Sequence, residues 1–226
     1  MQITTWNVNS IRTRLDRVVA WIEANEPDVL ALQEIKVQDA DFPRERIEAL
    51  GYHVETSGQK TYNGVALISR EPLTDVVRAL PEDPPTAQAR YLAATTFGMR
   101  VMNVYVPNGK HITSEKFAYK LDWLDRLHEA LRTAHEPGEP LVLLGDFNIA
   151  PDARDVHDPE AWAGRVHFHP TEHAMLARFL EWGLHDLLRV RHEEAGIYSW
   201  WDYRGGALQR NKGLRIDLIL GTAPLE

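Results

Sequence analysis

Leu141-Val-Leu-Leu-Gly-Asp146-Phe-Asn148-Ile-Ala-Pro151 decides the fold. Leu141 to Leu144 reads as a buried strand, and the polar turn residues Gly145, Asp146 and Asn148 follow it directly. An apolar strand that stops at a carboxylate and an amide is a rigid base with chemistry mounted on its end. The pattern recurs in both directions from there. Gln2 to Val8 alternates as a strand carrying Asn7, and Val29 to Gln33 runs into Glu34. Arg100 to Val106 carries Tyr105 and leads to Asn108, and Leu214 to Leu220 contains Asp217. Val65 to Ser69, Tyr91 to Phe97 and Tyr198 to Trp201 read as further strands.

Helical periodicity fills the intervals. Ile11, Leu15, Val18, Val19 and Ile22 make one apolar face, with Asn9 or Ser10 as its cap. Phe117, Leu121, Leu124, Leu127 and Leu131 make a second, beginning after Thr113 or Ser114. A third helix is predicted from about Pro170 to Trp182, opened by proline and stopped by Gly183. Pro81 to Pro85 reads as a loop. Strands and helices mixed this closely predict one α/β or α+β domain over residues 1–226, with helices covering sheet faces.

Composition sets the limits. The 226 residues hold 25 Lys and Arg against 33 Asp and Glu, a formal charge of −8, with 44% hydrophobic residues and no cysteine. That is ample chain for a sizeable core, and it excludes a disordered or collagenous polymer. A disulfide scaffold, a thiolate zinc site and a cysteine nucleophile are excluded as well. No stretch approaches the roughly 18 to 20 apolar residues of a membrane span, and no secretory signal is legible, so a cytoplasmic protein is expected. Net charge argues mildly against a nucleic-acid partner. The acidity is local, however: residues 136–194 carry twelve acidic residues against five basic ones, whereas Arg204, Arg210, Lys212 and Arg215 gather later.

Taken together, the strand-end residues are carboxylates, amides and a phenol, the oxygen-rich set that hard Mg²⁺ or Mn²⁺ and a phosphate ester require. Glu34 suits a metal ligand. Asp146 can orient or deprotonate a water, and Asn148, two residues along an extended segment, faces the same side. Tyr105 can donate to a phosphoryl oxygen, and Asp217 is a carboxylate suited to orienting a histidine. His167, His169 and His173, with Glu172, have spacing that suggests zinc, but Pro170 places His169 at a helix opening, so a loop and helix start are expected instead. Trp21, Trp123 and Trp182 are expected to be structural, and Trp200 or Trp201 to line a pocket.

The segments TTWNVNSIR, PDVLALQEIKV, NGVALISR, VMNVYVPNG, LLGDFNIAP, YSWWDYR and NKGLRIDLIL occur in order from residue 3 to residue 220. With them the sequence resembles the exonuclease III family of apurinic/apyrimidinic endonucleases, within the endonuclease/exonuclease/phosphatase superfamily. The resemblance implies a four-layer α/β sandwich, two packed mainly antiparallel sheets flanked by helices. It implies a metal site at Asn7, Glu34, Asp146 and Asn148, the last two also orienting the nucleophilic water. Tyr105 would contact the phosphate and Asp217 support a catalytic histidine. Trp200, Leu214 and Ile216 would form a pocket for a flipped-out abasic sugar, with Arg90, Asn108, Asn211 and Lys212 as DNA contacts. The implied reaction is Mg²⁺- or Mn²⁺-dependent hydrolysis 5′ of an abasic site, with 3′-phosphodiesterase or 3′→5′ exonuclease activity. The implied working form is a monomer on double-stranded DNA with abasic sites or blocked 3′ ends.

The family closes with a Ser-Asp-His-x-Pro segment, and the sequence given stops at Glu226, nine residues after Asp217. The catalytic histidine and the last strand are therefore expected to be missing, and a chain ending there to cleave poorly. Two alternatives stand beside the nuclease: a superfamily phosphatase or lipid phosphodiesterase, and a non-catalytic DNA-binding relative.

Overall fold

In the computed structural model, which describes residues 1–225, the chain begins with β1 (Ile3–Asn7), α1 (Ile11–Asn25) and β2 (Val29–Gln33), followed by α2 (Arg44–Glu48), β3 (His53–Ser57) and β4 (Val65–Ser69). The four strands form a sheet in the order β1-β2-β4-β3. β1 and β2 run parallel, and the other pairs are antiparallel. β2 and β4 are buried at every position because both sheet faces are covered. On one face Leu30, Leu32, Ala66 and Ile68 pack with Val18 and Ile22 of α1. Each Leu, Ile or Val among these contributes about 1.5–3 kcal/mol on full burial.

The opposite face meets a second set of strands, β5 (Thr74–Val77), β6 (Tyr91–Thr96), β7 (Met99–Tyr105) and β8 (Leu141–Asp146). Here β7 and β8 are the parallel pair. Asn103 of β7 spans the sheet-to-sheet gap: its amide nitrogen donates to the carbonyls of Leu32 (3.0 Å) and Ala66 (2.8 Å), and its oxygen accepts from Gln33 Nε2 (2.8 Å). A buried polar pair of this kind is tolerated because its donors are matched. These residues, Met1–Tyr105 with Pro140–Asp146, make one compact unit.

The second unit comprises Val106–Glu139 and the chain from Phe147 onward. It holds α3 (Glu115–Ala134), α4 (Pro159–Trp162), α5 (Pro170–Trp182), β9 (Leu184–Asp186), β10 (Trp200–Trp201), β11 (Gly213–Leu214) and β12 (Asp217–Thr222). α3 packs against α5, and β12 pairs antiparallel with β9. The mixed α/β class, with two mixed sheets and flanking helices, is the one the sequence implies. No helix among the described residues is long and apolar enough to cross a membrane.

Four local expectations are corrected or refined. Ser10 occupies the cap of α1, but at φ 90° and without a side-chain cap bond. The first helical donors are satisfied instead by the chain leaving β2, with Ser10 N on Glu34 O (2.7 Å) and Ile11 N on Ile35 O (3.1 Å). The predicted strand Leu214 to Leu220 is broken into β11 and β12, because Arg215 turns inward and leaves the ladder. The strand expected over Tyr198 to Trp201 is confined to Trp200–Trp201. On α3 the inward position expected of Leu121 is only half-buried, and the fully buried neighbour is Lys120.

Candidate active site

Parallel pairing brings strand C-termini to one edge. The register sets Asn7 beside Gln33 and Tyr105 beside Asp146, so each pair ends level and delivers its polar residues together. Asn7 Nδ2 donates to Glu34 Oε1 and to Asp146 Oδ2, both at 2.9 Å. Its own oxygen accepts from Asn9 N at 3.0 Å, which fixes the amide orientation. Lys36 Nζ lies 2.9 Å from Glu34 Oε2. Glu34 and Lys36 both have positive φ, 52° and 57°, so the chain leaves β2 through a tight reversal that turns the carboxylate toward Asn7.

Burial by itself would raise the Glu34 pKa, but hydrogen bonds from Asn7, Lys36 and Tyr105 outweigh it and hold the carboxyl below its usual range. Tyr105 is driven strongly the other way, by burial first and then by the charges of Glu34 and Asp146. It is therefore a protonated phenol, a donor. Arg90 places its guanidinium 4.6 Å from the Tyr105 ring centre and donates to the Tyr105 carbonyl at 3.1 Å. Glu34 and Asp146 thus share one amide donor, and an all-oxygen pair suits a hard cation. Mg²⁺ is commonly held by one or two carboxylates, with water and substrate phosphate completing the shell. Among the described residues no group of three or more His, Cys, Asp or Glu forms a metal cluster.

The second unit has its own polar centre. Asn148 is buried, its amide nitrogen donating to Val106 O at 3.0 Å and its oxygen accepting from Asn108 Nδ2 at 3.1 Å. Beneath it lies Lys120, fully buried with Glu172, whose ammonium donates to Asn148 O (2.7 Å) and to the Glu172 carboxylate. His167 Nδ1 lies 2.7 Å from the same Asn148 carbonyl and must be the donor, leaving Nε2 as an acceptor 3.5 Å from Asn108. Burial, then the Lys120 charge, pushes the His167 pKa down to about 4, so the ring is neutral. Its plane tilts against Trp162 and Trp200.

Trp200, Leu214 and Ile216 do come together, in an apolar cluster with Ala150 and Val156. Leu214 and Ile216 are only 1% and 4% exposed, so this is a packed floor rather than an open slot. Arg215 between them is clamped by Asp155 and Asp186, with Nε–Oδ1 and Nη2–Oδ2 contacts of 2.6 Å each. Ser199 Oγ accepts from the backbone of both Ile216 and Asp217 at 3.1 Å and fixes the position of Asp217. Asn211 accepts from Trp201 Nε1 at 3.2 Å, and Lys212 is exposed. The three histidines do not converge: His169 caps α5, His173 donates to Ala150 O at 2.9 Å, and His167 is engaged as described.

The sequence reading did not single out Lys36, Lys120, Ser199 or Arg215 in these roles. Only Arg215 left a trace, in the odd placing of a charge inside an apolar run.

A strand-ended, oxygen-rich site on a two-sheet scaffold defines a metal-dependent phosphoesterase class. The chain belongs to the endonuclease/exonuclease/phosphatase family, whose pattern matches residues 4–226, and within it to the exonuclease III branch. It is 38% identical to an exodeoxyribonuclease III of Haemophilus influenzae, over all of this chain and 89% of that one. Among solved structures, a 3′ phosphatase from Neisseria bound to a product DNA hairpin has 46% identity and a TM-score of 0.95, over 99% of this chain and 87% of that one. An AP endonuclease from Archaeoglobus fulgidus has 42% identity and a TM-score of 0.94, over 100% and 88%.

Proposed function

We propose that this chain is a DNA-repair hydrolase that cuts double-stranded DNA 5′ of abasic sites and trims blocked 3′ ends, using Mg²⁺ or Mn²⁺. The observation that carries the reading is the sharing of the Asn7 amide by Glu34 and Asp146. The relatives, named for exonuclease, 3′ phosphatase and AP endonuclease activity, support it.

A divalent cation bound here supplies charge neutralisation and polarisation of the phosphate ester. Glu34, Asp146 and the amides Asn7 and Asn148 would hold it. Asp146 orients the attacking water and accepts its proton, with Asn148 as the second partner. Tyr105, kept protonated, donates to a phosphoryl oxygen, where developing charge is best met by a fixed donor. Asp217 supports a histidine. Arg90, Asn108, Asn211 and Lys212 contact the DNA, and Trp200, Leu214 and Ile216 face the sugar at the break. The protein works as a monomer.

One observation favours a second reading within this class. The packed floor at Leu214 and Ile216, with the His167 ring against Trp200, leaves little room for a flipped sugar, which favours 3′-end hydrolysis over abasic-site incision. Parallel assays on abasic, nicked, blunt and 3′-phosphate duplexes with Mg²⁺ or Mn²⁺ separate the two. Cleavage of the abasic strand supports the first, and release from 3′ ends alone supports the second. Turnover of phosphoinositide or sphingomyelin without DNA cleavage overturns both.

A further inference from the structure

The second unit contains a cavity of about 470 Å³, lined by Lys110, His111, Trp162, Arg165, Val166 and His167 among others. That is within the roughly 300–1,000 Å³ of small-ligand sites. Its lining has two permanent cations, two imidazoles and an indole, and no carboxylate. In a chain of net charge −8 this is a local reversal of sign. The side chains of Lys110 and Arg165 have no hydrogen-bond or ion-pair partner among the described residues.

The walls are held in place. Trp162 closes α4, whose start is capped by Asp158 accepting from Ala161 N at 3.0 Å. His157 meets the indole edge-on at 6.3 Å. The following loop is tied onto itself: Arg165 N on Trp162 O (2.9 Å), Phe168 N on Arg165 O (3.0 Å) and Gly164 N on Phe168 O (3.2 Å). His167 is anchored through Nδ1 to the Asn148 carbonyl, so Nε2 remains an acceptor.

A fixed indole flanked by unpaired cations and no anion matches a ligand that is both a flat ring and an anion. Stacking on an aromatic residue accepts any base, and Lys and Arg take phosphate oxygens. A base inside a duplex has both faces covered by its neighbours, so a nucleotide must be unpaired to offer one. We infer that this cavity takes one unpaired nucleotide of the DNA substrate, its base against Trp162 and its phosphate on Lys110 and Arg165. The inference rests on the reading of DNA as substrate.

Fluorescence anisotropy in EDTA tests it, with labelled duplexes that are blunt or carry one unpaired nucleotide at the 3′ end, at the 5′ end or in a bulge. The intact chain is expected to bind at least one unpaired form about tenfold more tightly than the blunt duplex. Trp162→Ala and the double variant Lys110→Ala/Arg165→Ala should erase that preference, and Trp162→Phe should keep it. Thermal melting of each variant confirms that it is folded. Equal binding of all four duplexes by the intact chain overturns the inference, as does a preference that survives in both alanine variants. Mg²⁺-dependent hydrolysis, measured on the same sample, reports separately on the nuclease reading: a chain that cleaves DNA yet shows no preference loses this inference alone.

Discussion

The carboxylate cluster of the first unit and the aromatic, basic loops of the second obtain their hydrogen-bond partners in different ways. Glu34 and Asp146 lean on a neutral amide, with Lys36 on the far oxygen of Glu34, and the carriers lie on or just beyond strands fixed in parallel register. In the second unit the exposed cations Lys110 and Arg165 are left without partners, and the aromatic rings are carried by short helices and loops. Order there comes from below, from the buried Lys120–Glu172 pair and the Asp155–Arg215–Asp186 clamp. A small hard cation needs ligands placed to a fraction of an ångström, which strand ends provide. A long polyanion needs reach and unpaired charge, which loops provide.

The sharpest way to break this contrast is at its carboxylate half. Asp146→Asn is expected to lower kcat by about 10²–10⁴-fold while DNA binding persists, measured by cleavage and gel shift. Chelation of divalent ions should abolish cleavage altogether. Near-normal turnover by Asp146→Asn would remove the assignment. The next largest effect falls on stability. Lys120→Met leaves Glu172 buried without its cation and should cost about 3–5 kcal/mol in urea unfolding, and the double variant Lys120→Met/Glu172→Leu should recover most of it. No recovery would mean that the pair is not the support of Asn148.

A smaller loss is expected for Arg215→Lys, about 1–3 kcal/mol, because an ammonium cannot reproduce the forked contacts to Asp155 and Asp186. If Arg215→Lys melts like the parent, the clamp does not hold β11. The smallest signal is the titration of His167. Its pKa in the folded chain, about 4, lies below the ordinary 6.5, so protonation opposes folding. Its stabilising contribution is complete above about pH 6.5 and falls away as the pH drops through 4. An NMR titration of the ring with a midpoint near 6.5 would contradict the half-buried, carbonyl-bound geometry.

Much of the scaffold was legible because its signals are local. Val29–Gln33, Val65–Ser69 and the helix Pro170–Trp182 fall at the predicted bounds, since apolar runs, a proline opening and a glycine stop act over a few residues. Asn7, Glu34, Tyr105 and Asp146 were legible for the same reason: each is the polar end of an apolar strand. Their convergence was an expectation of the oxygen chemistry, and the 2.9 Å contacts through Asn7 supply the geometry. Ser10 stands at the cap of α1 as its position in the sequence suggests, but the acceptors that replace its side chain, the carbonyls of Glu34 and Ile35, lie more than twenty residues away.

By itself the sequence determined the class of fold, most of the strands and helices, the family and the oxygen-bearing residues at the strand ends. These follow from periodicity, turn chemistry and residue type, which a linear chain displays openly. Only the tertiary structure decided that Asn7 points its nitrogen at the carboxylates, that Lys120 and Glu172 share a buried contact, and that Leu214 and Ile216 form a closed floor. It also brought Trp162 into one cavity with the cations Lys110 and Arg165. Each of these depends on which distant groups meet once water is excluded, because a buried charge or amide takes whatever partner the fold supplies.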